Sequence, residues 1–134
     1  MTEESRGVMS FARGGALSER VIGLAIEVHR HLGPGLLEST YEECLCFELQ
    51  RAAIRFGQQV SLPVVYKEIE LEHGYRIDIV VEDDLILEIK SVERLSALHE
   101  AQMLTYLRLS GRKVGLLMNF NTVLLKDGLR RFVL

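Results

Sequence analysis

The chain has 134 residues, of which 48% are hydrophobic and 26% charged, and its formal net charge is -3. That balance belongs to a globular chain and excludes a disordered one. No apolar run approaches the roughly 20 residues needed to cross a bilayer, and "MTEESRGVMSFARGG" lacks an apolar stretch of signal-peptide length, so a cytoplasmic protein with no membrane partner is expected.

Residues 1–15, with Gly7, Gly14 and Gly15 and no periodic pattern, read as a flexible arm, and 16–134 as a single domain. From Leu17 the pattern turns helical: Val21, Leu24, Ala25, Val28 and Leu32 recur at three- and four-residue steps. "GPG" at 33–35 ends that helix. A second helix runs to about Ala53, with Tyr41, Leu45, Leu49 and Ala52 as its buried stripe. Ser39 with Glu42, or Thr40 with Glu43, would form its capping box. Cys44 and Cys46 fall on different faces of this helix and read as free thiols of a reducing compartment.

Three strands are expected next, over Gln59–Glu68, Tyr75–Val81 and Leu85–Val92, separated by "EHG" and "EDD". A third helix spans about Ser96 to Ser110. "KVGLLMNF" reads as a buried strand, and "TVLL" with "LRRFVL" as a terminal hairpin or short edge strands. The order ααβββαββ fits an α/β fold, a mixed central sheet flanked by helices.

The segment "LILEIK", 85–90, poses the functional question. Glu88 and Lys90 lie two apart and share a face of an otherwise apolar strand. Burying both charges costs several kcal/mol per ion unless each is compensated. If "EDD" is a three-residue loop, Val81 pairs with Leu85 and Asp78 falls opposite Glu88; a two-residue loop would put Asp78 on the other face. Two opposed carboxylates suit a hard divalent cation, and a lysine beside them suits phosphate chemistry. The competing reading is an ordinary ion pair on an exposed hairpin.

Gln102 and Tyr106, four apart on the third helix, share a face. Glu38 stands where the second helix begins. His29 lies beside the apolar stripe of the first helix and reads more readily as a packed histidine than as a ligand. Nine of the nineteen acids fall between Glu68 and Glu93, whereas Arg108–Arg131 holds six bases and one acid. An acidic site beside a basic surface is therefore compatible with the small net charge.

"GLLESTY", with Gly35, Glu38 and Tyr41, resembles the motif of the GxxExxY protein family. "EVHRHLGPG", "GYRIDIVVEDDLILEIKSVE", "HEAQMLTYLRLSG" and "VGLLMNFN" resemble the same family, so the likeness spans Leu17 to the C-terminus. That family is similar to the PD-(D/E)xK nucleases, which implies a restriction-endonuclease-like core. The resemblance implies roles for Asp78 and Glu88 as ligands of Mg²⁺ or Mn²⁺, for Glu38 as an additional acid, and for Lys90 in orienting the nucleophile. It further implies a Q-x-x-x-Y element at Gln102 and Tyr106 and, less directly, an upstream histidine at His29. Ile77 stands where the superfamily's name has proline.

The function implied is a metal-dependent nuclease acting on DNA, with RNA the second candidate, and dimerisation is the expected route to specificity. Arg108, Arg112, Lys113, Arg130 and Arg131 are candidate phosphate contacts. The alternative is a non-catalytic nucleic-acid-binding or protein-assembly module on the same fold.

Overall fold

The computed structural model describes residues 15–134; apart from Gly15, the expected N-terminal arm lies outside them. The elements are α1 (Gly15–Leu32), α2 (Glu38–Arg51), β1 (Phe56–Ser61), β2 (Val64–Tyr66), β3 (Ile69–Leu71), β4 (Arg76–Val81), β5 (Leu85–Lys90), α3 (Ala97–Ser110), β6 (Val114–Asn119) and β7 (Leu129–Val133). Five strands form one sheet in the order β1-β4-β5-β6-β7. Only β5 and β6, joined through α3, run parallel; the other pairs are antiparallel. The mixed sheet flanked by helices is the expected architecture.

Alternation along the strands sorts their side chains into two cores. Ile79, Val81, Leu87, Ile89, Leu116 and Met118 face α1 and α2 and meet Val21, Ala25, Tyr41, Leu45 and Leu49. Val80, Ile86 and Leu117 face α3 and meet Met103, Tyr106 and Leu107. β5 and β6 are buried on both faces, as central strands covered by helices must be.

Three local expectations are corrected. The strand expected over Gln59–Glu68 breaks after Ser61, because Pro63 has no N–H to continue a ladder. The chain then forms a separate two-stranded ribbon, β2 with β3. "TVLL" is not a strand: the Thr122 hydroxyl donates to the Leu124 carbonyl at 2.8 Å, and a 3-10 turn over Leu125–Gly128 follows. β7 pairs instead with β6. Neither capping box of the second helix forms, since α2 begins at Glu38 with Leu37 as its N-cap. The box appears on α3, where Ser96 Oγ accepts from the His99 N–H and His99 Nδ1 accepts from the Ser96 N–H. Among the described residues no helix is long and apolar enough to cross a membrane.

Two glycines respond oppositely to a methyl group. Gly23 lies exposed within α1 with open space where a Cβ would stand, whereas a Cβ on buried Gly128 would overlap the Asn119 backbone carbonyl. Gly23→Ala should stabilise the fold by about 1 kcal/mol. Gly128→Ala should cost about 1–3 kcal/mol, as overpacking against rigid backbone does. Urea denaturation of the two variants measures both.

Candidate active site

The loop Glu82–Asp84 has three residues and pairs Val81 with Leu85, so the register that places Asp78 opposite Glu88 is the one adopted. The β4–β5 ladder reaches only Ile79 and Leu87. Beyond it β4 stays with β1 as far as Arg76, and β5 stays with β6 as far as Lys90. At this fork the two acids take over from the backbone. The Asp78 N–H donates to Glu88 Oε2 at 2.9 Å, and the Ile89 N–H donates to Asp78 Oδ2 at 2.8 Å.

These bonds to ionisable acceptors offset only part of the cost of burial. Glu88 is 5% exposed. Burial first, and the Asp78 charge second, push its pKa up to about 8. Asp78 is also raised, chiefly by burial and then by Glu42, against the lowering effects of the Ile89 N–H, Gln59 and Lys90. The Lys90 ammonium favours ionisation of both carboxyls and is outweighed at each.

A further acid at the site is Glu42, which the sequence offers only as a capping partner of Ser39. It is buried on α2 and accepts from both Gln58 and Gln59 amides at 2.9 Å. Adjacent strand residues ordinarily point to opposite faces. Here Gln59 takes a φ of 55°, which swings it to the same carboxylate oxygen as its neighbour. Its amide also lies 3.4 Å from Asp78 Oδ1. The available signal was the i,i+4 spacing of Glu38 and Glu42, which places them on one helix face.

Glu38 is presented by the turn that precedes it. Gly35 has a φ of 98°, a conformation that favours glycine. The fully buried Tyr41 ring stacks on Phe120 at 4.5 Å. Its hydroxyl donates to the Gly33 carbonyl at 2.6 Å and accepts from the Leu36 N–H at 3.1 Å, clamping the turn. Ser91 ties the turn to the end of β5: its hydroxyl donates to the Leu36 carbonyl and its N–H to Glu38 Oε2. The Gly35, Glu38 and Tyr41 motif thus has a physical content, a hinge, a carboxylate and a clamp.

Glu38, Glu42 and Asp78 line one open cleft. Lys90 lines the adjoining groove with Gln102 and Tyr106, whose amide and hydroxyl lie 3.3 Å apart. Burial raises the Tyr106 pKa, with the Glu88 and Asp78 charges next, so this hydroxyl senses the acidic pair. The predicted site residues are thus divided between two adjoining cavities, and Glu88 lines neither of them. Among the described residues no three Asp, Glu, His or Cys side chains form a metal cage.

The remaining predicted contacts lie elsewhere. His29 Nε2 donates to the Thr122 carbonyl at 2.8 Å, and the ring packs near Phe120, outside both cavities. Arg112 pairs with Asp83, and Lys113 precedes β6, at the far end of the sheet. Arg108 donates to Thr105, Arg130 to the Leu129 carbonyl, and Arg131 lies exposed on β7. None of these five bases lines the acidic cleft or the groove beside Lys90.

This fold and this pairing of opposed acids with a nearby lysine define a nuclease-like domain. A model of the PD-(D/E)XK nuclease superfamily matches residues 15–132, and the chain belongs to that superfamily. Nucleases of the superfamily generally use divalent metal ions. Comparison with curated proteins and with solved structures finds no match. The residues present fit such an ion: Asp78 and Glu88 are hard oxygen donors whose crowded charge a cation would compensate.

The raised Glu88 pKa predicts the pH response of the protein in chelator. The unfolded chain releases this proton near 4.5 and the native state near 8, so the native state holds more protons between them. Stability should fall as pH rises through that window. Glu88→Gln should remove most of the slope, leaving the smaller part due to Asp78. Urea denaturation across the window checks this; an unchanged slope in the variant would contradict it.

Proposed function

We propose that the protein is a nuclease of the GxxExxY type that hydrolyses phosphodiester bonds in DNA, with RNA the second candidate substrate. The supporting observation is the directly opposed pair of half-buried Asp78 and buried Glu88 at the strand fork, with Lys90 two residues beyond. Asp78 and Glu88 would hold Mg²⁺ or Mn²⁺, and Glu38 and Glu42, which line the cleft with Asp78, would act directly or through water. The bound ion would supply Lewis acidity and positive charge at the phosphate. The two free cysteines suit the reducing cytoplasm.

Lys90 carries the protein's own part of the chemistry. Its ammonium donates to a phosphate oxygen or holds the attacking water, where fixed positive charge favours the crowded anionic transition state. Attack of water on phosphorus forms one P–O bond and breaks another, and the departing oxygen takes up a proton. Tyr106 and Gln102 line the same groove as the lysine and would support it or touch the substrate backbone.

A non-catalytic module has one observation in its favour: the reciprocal bonds of Asp78 and Glu88 to backbone N–H groups, which would also serve as a structural clasp. Thermal melting with and without millimolar Mg²⁺ or Mn²⁺, alongside cleavage of labelled DNA and RNA, separates the two. A ligand that binds only the native state raises its stability by mass action. Wild type should show that shift, and Asp78→Ala and Glu88→Ala should lose both shift and cleavage. Lys90→Ala should keep the shift and lose about 10²–10³-fold in cleavage rate. No shift in wild type, or a wild-type shift in Asp78→Ala, would favour the clasp.

A further inference from the structure

The groove beside Lys90 measures about 650 Å³, within the range of small-molecule sites. Most of its wall is apolar or aromatic, contributed by Val64 and Leu71 of the β2–β3 ribbon, Leu98 and Tyr106 of α3, and Tyr75. Leu98 is 78% exposed and Tyr75 48%. Such walls do nothing for a sugar-phosphate backbone, which is anionic and hydrated. They suit a flat, polarisable ring.

The polar atoms at the groove suit the edge of the same ring. The Gln102 amide nitrogen donates to the Tyr106 hydroxyl, which leaves its carbonyl oxygen as an acceptor. His99 accepts the Ser96 N–H through Nδ1, so its proton stands on Nε2 as a donor. Lys90 joins this groove to the acids, since its charge acts on both Asp78 and Glu88.

We propose that the groove holds an unpaired nucleobase adjoining the phosphate at Lys90, so that the substrate is a single strand or an unpaired end. This rests on the nuclease reading. A base within a duplex has its faces covered by stacking and its edge by pairing, and only an unpaired base offers both to the groove.

The test is fluorescence anisotropy of the full chain with three labelled probes of equal length: an oligothymidylate, an abasic strand and a duplex. Ca²⁺ replaces Mg²⁺ to suppress cleavage. The oligothymidylate should bind about tenfold more tightly than either of the others, the scale of one base–aromatic stack. Tyr75→Ala and Leu98→Glu should each remove that preference and keep the Mg²⁺-induced melting shift. Both positions are exposed enough that the fold should tolerate the change. Equal affinity for the oligothymidylate and the abasic strand, tighter duplex binding, or a preference intact in both variants would overturn the base site alone. No binding of any probe together with no melting shift in wild type would overturn the nuclease reading and the base site with it.

Discussion

The site depends on where β4 and β5 part. Paired as far as Ile79 and Leu87, the two strands then follow different neighbours, and the gap is bridged by two carboxylates bonded to backbone N–H groups. A sheet that continued its ladder would have no use for acids here. A sheet that opened without them would leave backbone donors unpaired in a buried place. The acids therefore have a structural task that any chemistry must share, and the two tasks compete for the same oxygens. Glu88 shows the competition most plainly, for its burial and the facing Asp78 favour a proton at neutral pH.

The surroundings divide into support and access. On the α2 side, Tyr41 clamps the glycine turn, Ser91 anchors it, and Glu38 and Glu42 are held at the cleft. The left-handed backbone at Gln59 lets two neighbouring amides serve one carboxylate. Such strain persists only where the surrounding contacts enforce it, and functional sites are where it gathers. On the α3 side no acid lines the groove among the described residues, and Gln102, Tyr106 and the apolar walls of the ribbon frame Lys90 instead. An acidic cleft and an apolar groove thus meet at the end of one strand.

Much of this was legible because it is local. Alternation in "LILEIK" places Glu88 and Lys90 on one face, and a three-residue loop sets Asp78 opposite Glu88, which the register bears out. Helical spacing brings Gln102 and Tyr106 together, as observed. What was not legible depends on distant partners. Glu42 finds its glutamines 16 and 17 residues away, and only through an unusual φ at Gln59. His29 meets a carbonyl 93 residues away. The clustering of bases in the C-terminal third gave no hint that Arg112 would pair with Asp83 at the far end of the sheet. Charge density along a chain says little about its distribution over the folded surface.

A divalent cation proposed at the strand fork is tested most directly by crystals grown with Mn²⁺ and measured at its absorption edge. An anomalous peak should stand at bonding distance from a carboxylate oxygen of Asp78 and one of Glu88, with at least one of those oxygens released from its backbone N–H. A map with no peak there, and with both reciprocal hydrogen bonds intact, would contradict it.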